Sequence, residues 1–438
     1  MPHSRFRLLL PPPFSAVHIC ESSACETARL SALSFSAWSH GDLVDGIRLA
    51  AAAGSAHAEH SGHAEGPCAG ECVGPARVWH AALLVRIREL ASAARVLAGV
   101  EEQLRAEDAK VAAASQLCAA DLAFARGDVD TAVGLADKGA GTARRTGLHR
   151  LLPDAHTVLA LGALRQGNLS VSRDFAEQLR DDALLGQTVH SASQCAWAAA
   201  QLLEVRGGVP SAAHLVAGII TDDQLVRELL SSEPAAAAWL VRAALALEEE
   251  DLARRVVAEA ARLSGLNAGI RSLEAAWSHA DALLARAPER VVAAAGAHRD
   301  PWARASAYED AGKLLSTVRQ ERDRAVEVLE QAVDEYANAS ASRDARRVVS
   351  RLRSLGVRRG RYPKYAGHDG VNVGSLTNTE VAVADLVSQG FTNSQVGERL
   401  FISGHTVAFH LKKIFRKMDV ASRVELTRTW SRIPSNDY

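Results

Sequence analysis

The sequence predicts an all-α protein with a long repetitive body and a short, separate terminal unit. Three observations predict it. Apolar residues recur three and four apart through most of the 438-residue chain, and no run alternates with period two over a strand length. Gly127, Gly167 and Gly207 stand 40 residues apart, each between two helical stretches. Charge is unevenly placed: from Arg343 onward there are 17 Lys and Arg against 8 Asp and Glu, although the whole chain carries only −1.

Residues 1–74 read as an N-terminal segment, partly helical or flexible. The apolar run in MPHSRFRLLLPPPF is too short for a signal-peptide core, and no 18-residue apolar run follows. A cytoplasmic protein with no membrane partner is expected. Six irregularly spaced cysteines suggest no disulfide framework. His57, His60, His63, Cys68 and Cys72 fall within sixteen residues of a Gly-rich stretch. Imidazole and thiolate at such spacings could close a zinc site. A loop whose His and Cys bind nothing specific accounts for the same residues, because no second matched pair stands at a distance. No metal or cofactor is expected.

Residues 75–355 read as helix after helix. FARGDVDTAVGLADKG, LRQGNLSVSRDFAEQL and EVRGGVPSAAHLVAGI are versions of one unit. A later version, LEEEDLARRVVAEAARL, has Asp251 after a helical stretch and lacks the glycine. Each unit is a helical hairpin too small to bury its own apolar face. Stacked, such units make an α-solenoid resembling tetratricopeptide repeats. Residues 356–374 are a basic, Gly-containing linker. No enzyme is expected. Ala311-Gly312-Lys313 is followed by Leu314 inside a helical pattern, so it is not a phosphate loop. The G-x-S-x-G, H-E-x-x-H and G-x-G-x-x-G patterns are also missing.

The terminal unit, 375–438, reads as four short helices. Thr377 and Glu380 form a capping box for the first, along which Val381, Val383, Ala384, Leu386 and Val387 are apolar, and Gly390 stops it. Asn393 is the expected cap of the second, with Val396 and Leu400 inward, and Gly397 lets another helix approach. Ser403 caps the third. There Val407, Leu411, Ile414 and Met418 form a buried stripe, and Ala408, Phe409, Lys412, Lys413, Arg416 and Lys417 face the other way. Ser422 and Glu425 open the fourth, with Val424, Leu426 and Trp430 along it. Two helices joined by a tight turn, the second cationic outside, make a helix-turn-helix pattern. A merely solvated cationic face is the plain alternative.

This stretch resembles the DNA-binding domain of LuxR-type regulators. The resemblance rests on Leu376-Thr377, Glu380, Gly390, Thr392-Asn393, Gln395-Val396-Gly397, Leu400, Ser403, Thr406-Val407, His410, Ile414, Lys417-Met418, Val420, Arg423 and Glu425-Leu426. It covers about 55 residues. It implies a sequence-specific transcriptional regulator whose partner is double-stranded DNA, with the helix 404–418 in the major groove. On that helix Ala408, Phe409 and Lys412 are candidates for base edges. Ser403, Thr406, Lys413, Arg416 and Lys417 are candidates for phosphates. His410 reads as a half-buried histidine holding the helix in place. A homodimer on DNA is implied through the fourth helix, with Val424, Arg428 and Ser431 as candidates. Two positions depart from the family: Gly404 where proline is frequent, which predicts a more frayed helix start, and Ala408 where lysine is frequent.

The repeat body followed by this domain resembles the C-terminal half of the large ATP-binding LuxR-type regulators, without their ATPase. That leaves the repeats as a sensor or docking surface for a protein or small-molecule effector. The competing reading is a helical-repeat scaffold protein with a vestigial DNA-binding domain.

Overall fold

The computed structural model describes residues 25–55, 72–102, 109–184, 191–357, 376, 378–400, 402–418, 420 and 422–430. They fall in two compact units, within 1–358 and 359–438. Among the described residues there are 22 α-helices and no strand.

The first unit holds eighteen of these helices. They are α1 (Glu26–His40), α2 (Leu43–Ser55), α3 (Val73–Arg86), α4 (Leu90–Glu101), α5 (Ala109–Ala125), α6 (Val129–Arg145), α7 (Leu152–Gln166), α8 (Leu169–Leu184) and α9 (Ala192–Gly207). Then come α10 (Val209–Thr221), α11 (Asp223–Ser232), α12 (Ala236–Ala246), α13 (Glu250–Leu266), α14 (Arg271–Leu284) and α15 (Pro288–Ala297). The last three are α16 (Pro301–Ser316), α17 (Arg322–Asn338) and α18 (Ser342–Ser354). Adjacent helices pack as antiparallel hairpins. Every second helix from α3 to α11 also touches the next, which gives the stack of hairpins expected of a solenoid.

One backbone device makes the hairpin turns. Most helices that open a hairpin end on a left-handed residue whose N–H bonds the carbonyl three residues back, while the next N–H bonds the carbonyl five residues before it. Gly127 N bonds Phe124 O and Asp128 N bonds Ala123 O; Gly167 and Asn168 repeat the pattern on Leu164 and Ala163. This is the Schellman motif. It recurs at Gly41, but also at Arg88, Glu248, Arg286 and Ser340, which are not glycines. Arg88, Gly127, Gly167, Gly208, Glu248 and Arg286 all have positive φ and follow one another at 38 to 41 residues. The repeat therefore extends beyond the positions that glycine marks. Gly208, with φ of 76°, takes the turn expected at Gly207, which belongs to α9. Asp251 lies inside α13, and Glu248 makes that turn. Gly127 alone is also sterically required: a Cβ there would stand 2.9 Å from the Ala339 backbone.

Residues 26–55 do not stand apart from the repeats. The Trp79 indole N–H donates to Ser34 Oγ at 2.9 Å. Asn267, fully buried, accepts from the Leu43 and Val44 N–H groups and donates to the Gly41 and Leu263 carbonyls. It thus caps α2 from a residue more than two hundred positions away. Further along, Ser342 Oγ donates to the Gln166 carbonyl. Ala311-Gly312-Lys313 lies within α16, where a Cβ at Gly312 would stand 2.5 Å from Leu329 Cγ. The small residue there serves helix packing. No described helix is long and apolar enough to cross a membrane.

The second unit has α19 (Asn378–Ser388), α20 (Asn393–Leu400), α21 (Gly404–Lys417) and α22 (Arg423–Trp430). Val383, Ala384, Val387, Val396, Val407, Leu411, Ile414, Met418, Leu426 and Trp430 form its core. Gly390, with φ of 92°, ends α19 in the same Schellman geometry. Residues 356–375 fall almost wholly outside the described residues.

Candidate nucleic-acid interface

The starts of α20 and α21 can each be traced to a side chain. Thr377 lies outside the described residues. Its expected box partner Glu380 is buried and receives Lys417 Nζ at 2.6 Å. The cap of α20 is Thr392, one residue before the expected Asn393. Thr392 Oγ1 accepts from Gln395 N, while Gln395 Oε1 accepts from Thr392 N at 2.9 Å, a reciprocal capping box. The T-x-x-Q spacing was there to be read. Asn393 Oδ1 accepts from the Arg423 guanidinium at 3.1 Å, and Arg423 also donates to the Phe391 carbonyl. These bonds tie α22 to the turn after α19 and to the first residue of α20.

The turn between α20 and α21 rests on Gly397. A Cβ there would stand 2.6 Å from Ile402 O and 3.1 Å from Gly404 N. The close neighbours are thus the turn backbone and the first residue of α21. Ser403 caps α21, its Oγ accepting from Thr406 N at 3.0 Å. Gly404 is not sterically required, since a Cβ would meet only an ordinary contact at 3.5 Å.

On α21 the outward stripe is narrower than the sequence suggested. His405, Ala408, Lys412 and Arg416 are exposed, spaced three, four and four apart. Phe409 is a correction: it is 6% exposed and its ring packs edge-on to His410 at 6.1 Å. Lys413 is 8% exposed, its ammonium 4.5 Å from the Phe409 ring centroid. Thr406 is buried beneath the cap. Lys417 is engaged by Glu380. His410 is buried rather than half-buried. Residue spacing alone could not separate Phe409 from Ala408, because 3.6 residues per turn put position 409 at the border of the stripe, and size then draws it inward. His405 was missed for the opposite reason: it precedes the cationic run that drew attention to the helix.

On α22, Val424 is 63% exposed and Arg428 is exposed four residues on. Ser431 lies outside the described residues. So do His57, His60, His63 and Cys68, while Cys72 is fully buried at the start of α3.

Residues 374–430 match the family described as bacterial regulatory proteins, luxR family. The C-terminal unit is a LuxR-type helix-turn-helix domain. Relatives agree over this region. The chain is 49% identical over 53 residues to an HTH-type transcriptional regulator of Mycobacterium bovis, covering 12% of this chain and 6% of that protein. It is 34% identical over 79 residues to the transcriptional regulatory protein LiaR of Bacillus subtilis, covering 18% and 32%. To the HTH-type transcriptional regulator MalT of Vibrio cholerae it is 32% identical over 59 residues, covering 14% and 6%. The chain thus spans a small part of each relative's length. The LuxR-type domain carries α21 as its second helix-turn-helix element, with His405, Ala408, Lys412 and Arg416 outermost.

Proposed function

We propose that the chain is a sequence-specific DNA-binding transcriptional regulator that inserts α21 into the major groove. The observation that carries this reading is the single exposed stripe of α21, polar or small throughout and bearing two cations, on a helix held by an apolar core. Ala408 and Lys412, joined by His405, are the base-facing residues; Lys412 suits the acceptors of guanine, and Ala408 a thymine methyl. Arg416 and the capped N-terminus at Ser403 take phosphates. Lys413 adds positive potential from its packed position, Lys417 is neutralised by Glu380, and Thr406 serves the cap. Two copies read dyad-related half-sites, with Val424 and Arg428 of α22 at their contact. The repeat body is the sensor or docking half.

The test is to bind the full chain to mixed genomic fragments over a series of salt concentrations and to sequence what is retained. A steep salt dependence with enrichment of a dyad-symmetric site is expected. Retention without sequence enrichment would leave only the electrostatic part of the proposal, and no retention would remove it.

A further inference from the structure

Most of the positive excess toward the C-terminus lies outside the helix-turn-helix unit. Residues 375–438 carry eight Lys and Arg against six Asp and Glu. One of the eight, Lys417, already meets Glu380. The excess stands just before this unit. α18 has five arginines and one aspartate, and residues 355–374 have four Lys and Arg and one aspartate. Binding to duplex DNA grows with the number of phosphates that cations neutralise, so the terminal unit alone is a weakly charged reader.

The five arginines of α18 divide into two sets. Arg343, Arg347 and Arg351 serve buried carboxylates. Arg347 donates to Glu309 at 2.6 and 2.9 Å and to Asp344 at 2.6 Å. Arg343 meets Asp344 at 3.1 Å, and Arg351 meets Glu309 at 3.3 Å. The bonds to Glu309 hold α18 on α16. Arg346 and Arg353 belong to the other side of the helix. With Ser342 and Ser350 they make an exposed stripe, spaced four, four and three apart. Arg346 bonds only neutral acceptors, the Ser342 and Gln166 carbonyls and the Ser342 hydroxyl. Among the described residues no carboxylate pairs with Arg346 or Arg353, and no side-chain bond engages Arg353.

No acidic side chain interrupts this surface, since Asp344, which α18 also carries, is buried. The exposed carboxylates Asp323, Glu327 and Asp334 stand on α17, which confines the cationic surface to α18. α18 is the last described helix of the body. It packs on α17 and α7, and no later described hairpin of the body covers its outer side.

We propose that this stripe is a second DNA contact: Arg346, Ser350 and Arg353 bind phosphates of the duplex flanking the site that α21 reads, without reading bases. Arginine and serine side chains both meet phosphate oxygens, arginine through paired N–H groups. The 21 residues between Ser354 and Leu376 span at most roughly 75 Å, or about 20 base pairs, so both surfaces can hold one duplex. Tethered to a bound reader, the stripe meets flanking phosphates at high local concentration. The inference rests on the DNA-binding reading and adds to it a surface of the repeat body.

The experiment compares three full chains: wild type, Arg346→Ser with Arg353→Ser, and Arg346→Lys with Arg353→Lys. Each is bound, over a series of salt concentrations, to the DNA site that wild type retains, once with flanks of about 20 base pairs on each side and once without flanks. On the flanked duplex the serine variant should show a shallower salt slope, by about two, since each lost phosphate contact removes roughly 0.9. Its preference among sequences should be unchanged. The lysine variant should keep most of the slope, because counterion release follows charge. On the bare site all three should be alike. Equal slopes for wild type and the serine variant on the flanked duplex would overturn the inference and leave the DNA-binding reading in place; the stripe would then suit an acidic protein surface. A difference that persisted on the bare site would overturn the flanking placement. A lysine variant as weak as the serine variant would overturn it too, because the arginines would then act on the fold. No binding of wild type to any fragment would remove the DNA-binding reading and this inference together.

Discussion

The two units of this chain are all-α but are held together by different physics. The C-terminal unit closes over a contiguous apolar core from four short helices, and its described charges stay outside except where Lys417 meets Glu380 and where Lys413 packs over the Phe409 ring. The repeat body buries polar and charged side chains and uses them to join distant parts of the sequence. Arg88 links Glu233 and Asp300. Glu309 accepts both arms of Arg347 and the Tyr336 hydroxyl, while Asp344 receives Arg347 and the Trp302 indole. Asp310 is shared by Arg242 and His279. A small unit can be specified by which residues are apolar. A long stack of Ala-rich hairpins, whose apolar faces resemble one another, gains register from buried polar pairs that fit only one partner.

The largest effect should come from breaking such a pair. Arg88→Ala leaves Asp300 buried and Glu233 half-buried without their cation, and should cost the body about 3–5 kcal/mol in urea unfolding. An unchanged midpoint would show that the body is held as the small unit is, by apolar burial alone. The acid limb gives a companion measurement. Burial opposes ionisation of Glu309, but Arg347 beside it overcomes that and holds its carboxyl down at about 2. A depressed carboxylate contributes stability above its ordinary range near 4 and loses it as pH falls through its folded value. The body should therefore lose stability steadily from about pH 4 to pH 2, and Glu309→Gln should flatten that slope.

Next in size, Lys412→Ala should cost about 1–3 kcal/mol on the best DNA site and relax preference at one base pair. Phe409→Ala should lower the melting temperature of the C-terminal unit, because that ring is buried rather than presented to DNA. If Phe409→Ala changed base preference while leaving stability alone, the assignment of the exposed stripe would be wrong. Asn267→Ala should cost about 2 kcal/mol by stripping the cap from α2, and native-state hydrogen exchange should speed up first at Leu43 and Val44. The smallest effect should be a gain. Glu248 sits exposed at φ of 62°, and Glu248→Gly should stabilise the body by about 0.5 kcal/mol. Gly127→Ala should do the reverse, by strain and by the Ala339 clash.

Much of the C-terminal unit could be read in advance. The Ser403 cap, the Val407, Leu411, Ile414 and Met418 stripe and the Gly390 stop are short-range features, written within a turn or two of where they act. The same holds for the hairpin character of the body, since an amphipathic helix followed by a left-handed turn residue is a local pattern. The turns at Arg88, Arg286 and Ser340 carry no glycine signal, and the one at Glu248 falls three residues before the expected Asp251, because glycine is favoured but not obligatory there; packing of the flanking helices sustains the left-handed residue.

Helices, their period and the small domain's turn chemistry were therefore determined by the sequence alone, because backbone propensity and hydrophobic spacing act over a few residues. Tertiary structure decided which polar residues became internal. Asn267 capping α2, Arg88 between Glu233 and Asp300 and Lys417 drawn onto Glu380 each depend on two segments meeting. A side chain's charge is written in the sequence, but the solvent it loses and the partner it gains are set only when distant helices pack.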